Sequence, residues 1–422
     1  MSSTCTIFVP TFMKYNTFTL PNGLRIIHLP ATSPVVYCGY EINAGTRNET
    51  PEREGIAHFC EHATFKGTEH RRAWHILNCL ESVGGDLNAF TNKEDTVYHA
   101  AILKYDVMRA VDLLTDIVFH SLYPQAELDK EVEVICDEIE SYNDSPSELI
   151  YDEFENMLFN GHPLGHNILG NAELVRTYKS EDAQQFTERF YRPDNAIFFA
   201  YGDLNFTKLV SMLKKATKDF PIAEANVNKE AEPTILPPYE PREIVVDKGT
   251  HQAHVMMGNR AYSIRDERRI ALYLLNNILG GPGMNARLNM SLRERHGLVY
   301  TVESSMISYS DTGVWCLYFG CDPHDVNHCR RLVRKELDRV IQKPLSIAQL
   351  NAAKKQIKGQ IAVECDNREG FALDFGKSFL HYGWEKDVNS LFCRIDALTA
   401  EQIQQVAIEI FAPERMTTLI YK

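Results

Sequence analysis

The first pattern along the chain is a pair of β-rich runs in YNTFTLPNGLRIIHLP, on either side of Pro21-Asn22-Gly23. Asn-Gly suits the backbone of a tight hairpin, so two paired strands are expected. VVYCGYEINAG, mostly apolar, reads as the next strand. A helix is expected to open near Thr50-Pro51. Proline fits a first helical turn, and Glu52 and Glu54 favour the positive helix end. Gly67 would stop it. AWHILNCLESVGG predicts a second helix ending at Gly84-Gly85, and DLNAFTNKEDTVYHAAIL predicts two strands around a polar turn. Helices follow from about Lys104 to Ser141. AIFFAYGDL is a buried strand with a helix after it.

Residues 221–241, PIAEANVNKEAEPTILPPYEP, break this rhythm with proline, glutamate and asparagine and predict a linker. The pattern then restarts. REIVVDKGTHQAHVMMGNRAY gives two strands, DERRIALYLLNNILGG a helix, and VYTVESSMISYSDTGVWCLYFGC strands again. A shift of 214 lays EREGIAHFCEH over DERRIALYLLN, with Ile56 on Ile270 and Ala57 on Ala271. The halves read as diverged copies of one unit. In the second copy Leu272, Leu275 and Asn276 stand where the first has His58, Glu61 and His62. The expected fold is α+β: two homologous α/β sandwiches, each a mixed sheet with helices packed on it. The expected division is 1–220, linker 221–241, and 242–422.

Composition narrows the function classes. A chain of 422 residues exceeds one ordinary core. Its 44% hydrophobic and 24% charged residues are those of a soluble globular protein. A net charge of -13 argues against nucleic acid or an anionic membrane as partner. No apolar run approaches the roughly 18 residues of a membrane span. The start, MSSTCTIFVPTFMKYNTF, lacks a basic segment followed by a long apolar one. Ten cysteines without a CxxC pair fit reduced, mostly buried thiols. Together these predict a cytoplasmic protein.

The candidate chemistry lies in GIAHFCEHATFKGT. His58 and His62 are four apart, one helical turn, so both imidazoles face one side. Two such groups can reach one ion, and zinc favours histidine. Glu61 lies between them and can take a proton from a metal-bound water. The order His-x-x-Glu-His inverts the better-known His-Glu-x-x-His. A histidine pair on a half-buried helix is also compatible with inert, hydrogen-bonded side chains. A third ligand would decide between the two. Glu131 and Glu138 in LDKEVEVICDEIESYND are seven apart, hence on one helical face. One could close a metal site and the other hold a ligand, although an acidic helix surface has the same spacing.

The sequence resembles the M16 (pitrilysin/insulinase) zinc metallopeptidases, specifically the short bacterial members related to the mitochondrial processing peptidase. The resemblance spans most of the chain. It runs through LPNGLRIIHLP, AGTRNETPEREGIAHFCEHATFKGT, GGDLNAFTNKEDTVYHAAIL, DKEVEVICDEIESYNDSPSELIYDEF and YRPDNAIFFAYGDL to GGPGMNARLNMSLRERHGLVYTVESS. It implies a peptide hydrolase with one Zn2+ per chain. His58, His62 and Glu138 match the zinc ligands, Glu61 the general base, and Glu131 a partner carboxylate near the site. Asn88, Ala89 and Phe90 match an edge strand that pairs with substrate backbone. Arg293 and Tyr300 match a pair that contacts the peptide near the scissile carbonyl. Tyr300 would stabilise the oxyanion.

The resemblance also implies that two halves close like a clam shell around a chamber. The expected assembly is a homodimer, or a heterodimer with a related chain. A competing reading is a non-catalytic or partner-dependent subunit, since such members exist; they usually lose zinc ligands. Cys60 departs mildly from the leucine common there. GGPGMNARL lacks the lysine and Ser/Thr of a phosphate loop and predicts a turn before a helix. His70 and His75 read as surface residues, His162 and His166 as structural, and Trp74 as core.

Overall fold

Gly23 adopts φ +89°, and its turn joins β1 (Asn16–Thr19) to β2 (Arg25–Pro30) in antiparallel register. The predicted hairpin is therefore present. The computed structural model describes residues 14–222 and 235–422. Most of the expected linker, 223–234, lies outside the described residues.

The first sheet adds β3 (Val35–Ile42), β4 (Asp86–Thr91), β5 (Thr96–Leu103) and β6 (Ala196–Gly202) in the order β1-β2-β6-β3-β5-β4. The second contains β7 (Glu243–Val246), β8 (Ala253–Ala261), β9 (Val299–Ser308), β10 (Gly313–Cys321) and β11 (Thr417–Tyr421) in the order β7-β11-β8-β10-β9. With β1 set aside the two orders correspond strand by strand. In each, the first pair is parallel and the remaining three are antiparallel. Shared order and shared strand sense are what a duplicated unit requires. The α+β architecture read from the sequence is the observed one.

The units are not continuous in sequence. One lies within Met1–Ile139, Ile168–Glu232 and Ala362–Asn389; the other within Glu140–Asn167, Pro233–Ile361 and Ser390–Lys422. Each takes one helix from the opposite half of the chain. The helix Arg368–Tyr382 packs on β3 and β6, and the helix Pro146–Leu158 packs on β8 and β11. A linear division at 221–241 separates both helices from the sheets they cover. Apolar periodicity marks these segments as amphipathic but says nothing of which sheet receives them.

In the first unit, the helix Val107–Phe119 covers β3 and β5. On its other helix-covered side Gly376 lies against Glu41, where an added Cβ would come 2.4 Å from Oε1. The core joins Tyr40, Tyr98 and Phe198 with Phe59 and Ala57. Trp74 is not core: it is 67% exposed. Its helix, Ala73–Glu81, turns Ile76 and Leu80 inward, four apart, which leaves Trp74 and Leu77 on the outer face. His75 is exposed, and the largely exposed His70 bonds Asp116 at 2.7 Å. His162 is buried. The described cysteines are free thiols, most of them buried. Among the described residues no helix is long and apolar enough to cross a membrane.

Candidate active site

The helix carrying the two histidines begins later than expected. Pro51–Arg53 form one 3-10 turn, and the α-helix runs from Ile56 to Thr64. The cause is Glu49. Its carboxylate accepts from Gly55 N–H and Ala57 N–H, both at 2.8 Å. These are orphan donors of the first turn, next to the positive helix end. Glu52 and Glu54, expected in that role, lie before the helix. Glu49→Ala is expected to lower unfolding stability by about 1–2 kcal/mol, the size of a lost helix cap. A urea melt shifted by less than about 0.3 kcal/mol would rule this cap out.

Within this helix His58, Glu61 and most neighbours are buried. The two imidazoles meet edge to face with centroids 4.6 Å apart. The helix Gln125–Asn143 brings Glu138 onto them. Glu138 Oε2 lies 3.3 Å from His62 Nε2 and 3.8 Å from His58 Nε2. One ligand atom from each residue falls within a 4.8 Å cluster. Ligand atoms around a tetrahedral ion with bonds of about 2.0–2.1 Å sit about 3.3 Å apart. Two neutralisable imidazoles and one carboxylate at that spacing fit a zinc ion.

The surrounding groups orient this set. His62 Nδ1 bonds Glu131 Oε1 at 2.9 Å, and Lys66 Nζ donates to Glu131 Oε2 at 2.5 Å. Such an imidazole–carboxylate bond fixes which nitrogen faces a metal. Thr91 Oγ1 donates to Glu61 Oε2 at 2.6 Å, pinning that carboxylate from the end of β4. Among the described residues His58 Nδ1 is buried without a hydrogen-bond partner, so packing, including the edge-to-face contact with His62, holds that ring.

Charge follows from these contacts. Burial, helped by His62, pushes His58 down to about 4 against the pull of Glu138. Burial opposes the charge on His62 too, but hydrogen bonds to Glu131 and Glu138 outweigh it and raise the ring to about 9. A metal bound there would have to displace that proton. Burial raises Glu61 above the usual carboxylate range, with Thr91 and His62 opposing. The hydrogen bond from His62 draws Glu138 below it. For Glu131 burial again resists, but His62 and Lys66 prevail and lower it.

Asn88, Ala89 and Phe90 lie on β4, which ends its sheet and pairs only with β5 among the described residues. Asn88 is exposed, and the other two are half-buried. The strand packs against the histidine helix. Arg293 and Tyr300 belong to the second unit. They form a pair of their own, the guanidinium 5.7 Å from the ring centroid, and Tyr300 is 83% exposed. Arg293 sits on a π-helix, Asn289–Glu294, a rare element that often marks functional sites. In the second copy Leu272 and Leu275 are fully buried core. Asn276 bonds Ser304 O and Trp315 Nε1 instead of a metal partner.

The chain is similar to proteins of one family. Residues 26–172 match the family model "Insulinase (Peptidase family M16)", and residues 177–357 match "Peptidase M16 inactive domain". An uncharacterised zinc protease of Streptomyces coelicolor is 32% identical across 93% of this chain and 86% of its own. The chain belongs to the M16 peptidase family. An uncharacterised zinc protease of Bacillus subtilis is 31% identical over 96% of this chain and 97% of that one. The β subunit of the bovine mitochondrial processing peptidase is 30% identical over 92% and 80%. A protease from Helicobacter pylori shares the fold, with TM-score 0.88 and 22% identity over 97% of this chain and all of that one.

His58, Glu61 and His62 were legible from spacing, which also put Glu131 and Glu138 on one face; Thr91 and Lys66 were not read. Thr91 is thirty residues from Glu61, and nothing in the spacing links them. Lys66, four after His62, was the readable one. Glu131→Ala is expected to weaken zinc binding about 10- to 100-fold. Competition against a chelator measures this, and unchanged affinity would remove Glu131 from the site.

Proposed function

We propose that this M16 member is a zinc-dependent endopeptidase acting on unstructured peptides. The observation that carries the reading is the convergence of His58, His62 and Glu138 donor atoms beside the buried Glu61. His58, His62 and Glu138 would hold one zinc per chain. Bound zinc supplies a Lewis acid for water and carbonyl. Glu61 takes the water proton and returns it to the leaving amine. Glu131 keeps His62 oriented. The free edge of β4 pairs with substrate backbone, which gives affinity with little sequence selectivity. Arg293 orients the peptide, and the Tyr300 hydroxyl donates to the developing oxyanion. The decisive experiment is hydrolysis of a mixed peptide set by the wild type and Glu61→Gln, with metal content measured on both.

The same reading includes a homodimer enclosing a chamber, with Arg293 and Tyr300 serving the partner's zinc centre. Its support is that one chain carries both residue sets, in separate units. Mixing Glu61→Gln chains with Tyr300→Phe chains is expected to restore part of the activity. No recovery from a mixture shown to exchange subunits would sink this arrangement.

A subunit that needs a related chain is the second reading. It is favoured by the inactive-domain match over residues 177–357 and opposed by the complete ligand set. A purified chain that binds zinc yet cleaves nothing would support it.

A further inference from the structure

The second unit holds a cavity of about 560 Å3 that the peptidase reading does not use. Its walls come from Asn285, Arg287, Met290 and Arg295, the C-terminal half of the helix Val326–Gln342, the turn after it and the start of the helix Ile347–Glu364. Arg287, Arg295, Arg339 and Lys343 line it against one carboxylate, Glu336. In a chain of net charge -13 this is a local concentration of the opposite sign.

Like charges repel, so each needs a reason to be there. Arg339 and Lys343 have one: they sit at a helix C-terminus, where carbonyl dipoles favour cations. Arg339 also pairs with Glu336 at 2.6 Å, which occupies the carboxylate. Arg295 caps the C-terminus of the helix Asn289–Glu294 and shares that reason; Arg287 has none. Arg287 is half-buried, and neither makes an ion pair among the described residues. Burial draws the Arg287 guanidinium below its usual range, with Arg339 adding to the effect and Glu336 opposing it. Gln342 and Gln349 add amide donors, and Met290 and Leu345 an apolar wall.

We propose that this cavity binds a small polyvalent oxyanion, an organic or inorganic molecule with two or more phosphate or carboxylate groups. Guanidinium forks match such oxygens two at a time. The volume lies in the range of small-molecule sites and exceeds what a single phosphate fills. Bound there, the anion replaces the missing counter-charge of Arg287 and Arg295. The inference is independent of the peptidase reading.

Calorimetric titration of the zinc-loaded full chain with pyrophosphate, and separately with citrate, tests it. One saturable site per chain is expected for at least one of them, and the preference separates phosphate from carboxylate ligands. Arg287→Gln is expected to weaken that binding about tenfold or more, the loss of a charge-assisted hydrogen bond. Arg330→Gln, whose arginine is held by Glu243, should leave it unchanged. If Arg287→Gln fails to fold, the exposed Arg295→Gln carries the same expectation. No saturable binding of either anion overturns the proposal. So does binding equal to wild type in folded Arg287→Gln and Arg295→Gln. Both anions chelate zinc, and heat that persists unchanged in those variants would be metal stripping, which also overturns it.

Discussion

Glu61→Gln is expected to lower kcat by about 100- to 10,000-fold, the usual worth of a general base, while zinc stays bound. The substitution keeps the length and shape of the side chain. The amide oxygen of glutamine can still accept from Thr91 Oγ1, which now holds Glu61 at 2.6 Å. The ligand atoms of His58, His62 and Glu138 are untouched. What disappears is a carboxylate beside them able to take a proton from water. Steady-state kinetics on peptides, together with metal analysis of both proteins, reads the result. A variant with full metal and near-normal kcat would remove Glu61 from the base role. A variant without metal would show that Glu61 organises the site rather than acting in the reaction.

Asp95→Ala is expected to cost about 3 kcal/mol of stability, near the lower end for breaking a buried ion pair. Asp95 is 1% exposed. It receives Lys377 Nζ at 2.9 Å, His381 Nε2 at 3.0 Å and Asn92 Nδ2 at 2.6 Å. Burial alone would raise its carboxyl, but His381 and Lys377 overcome this and hold it far below the usual range. Lys377 and His381 belong to the helix Arg368–Tyr382, so the pair fastens a helix from the far end of the chain onto the first sheet. Without Asp95 the Lys377 ammonium and the His381 ring would lose their shared partner. Lys377 is half-exposed and can turn to water. The buried Glu41 nearby, raised well above its usual range mainly by burial and next by Asp95, can ionise more readily. Both effects keep the loss near 3 kcal/mol.

The sign of the pH dependence follows. A depressed carboxyl stabilises fully above its unfolded value of about 3.9, and that contribution fades as pH falls below it. Urea melts at pH 7 measure the loss, and hydrogen exchange along residues 368–382 locates it. A change under about 1 kcal/mol would mean that apolar packing, not this pair, holds the helix.

These two residues were unequally visible in the sequence. Glu61 could be read because helical periodicity is local. Residues three and four apart share a face in any α-helix, so His58, Glu61 and His62 declared themselves, and the seven-residue step from Glu131 to Glu138 followed the same rule. Asp95 could not be read. It lies in a polar turn, NKED, and Lys377 and His381 are almost three hundred residues away. Glu49 was hidden differently: Glu52 and Glu54 stood nearer the expected helix start, and only the 3-10 turn at Pro51–Arg53 carries the helix N-terminus onward to Glu49's donors. Trp74 failed for want of a partner, since periodicity tells that a helix has an apolar face but not that every apolar residue finds cover.

By itself, then, the sequence determined what depends on neighbours in the chain. It specified the hairpin at Asn22-Gly23, the two-fold repeat, the histidine helix and the residue types able to bind and use a metal. Tertiary structure alone decided what depends on encounters across the chain. It chose which sheet each amphipathic helix covers, exchanging Pro146–Leu158 and Arg368–Tyr382 between the halves. It set which glutamate meets which imidazole nitrogen, and it placed Thr91 on Glu61 and Asp95 under Lys377. The physical reason is one of range. Backbone preference and periodicity act within a turn or two, whereas burial and charge pairing are settled only when distant segments displace water between them.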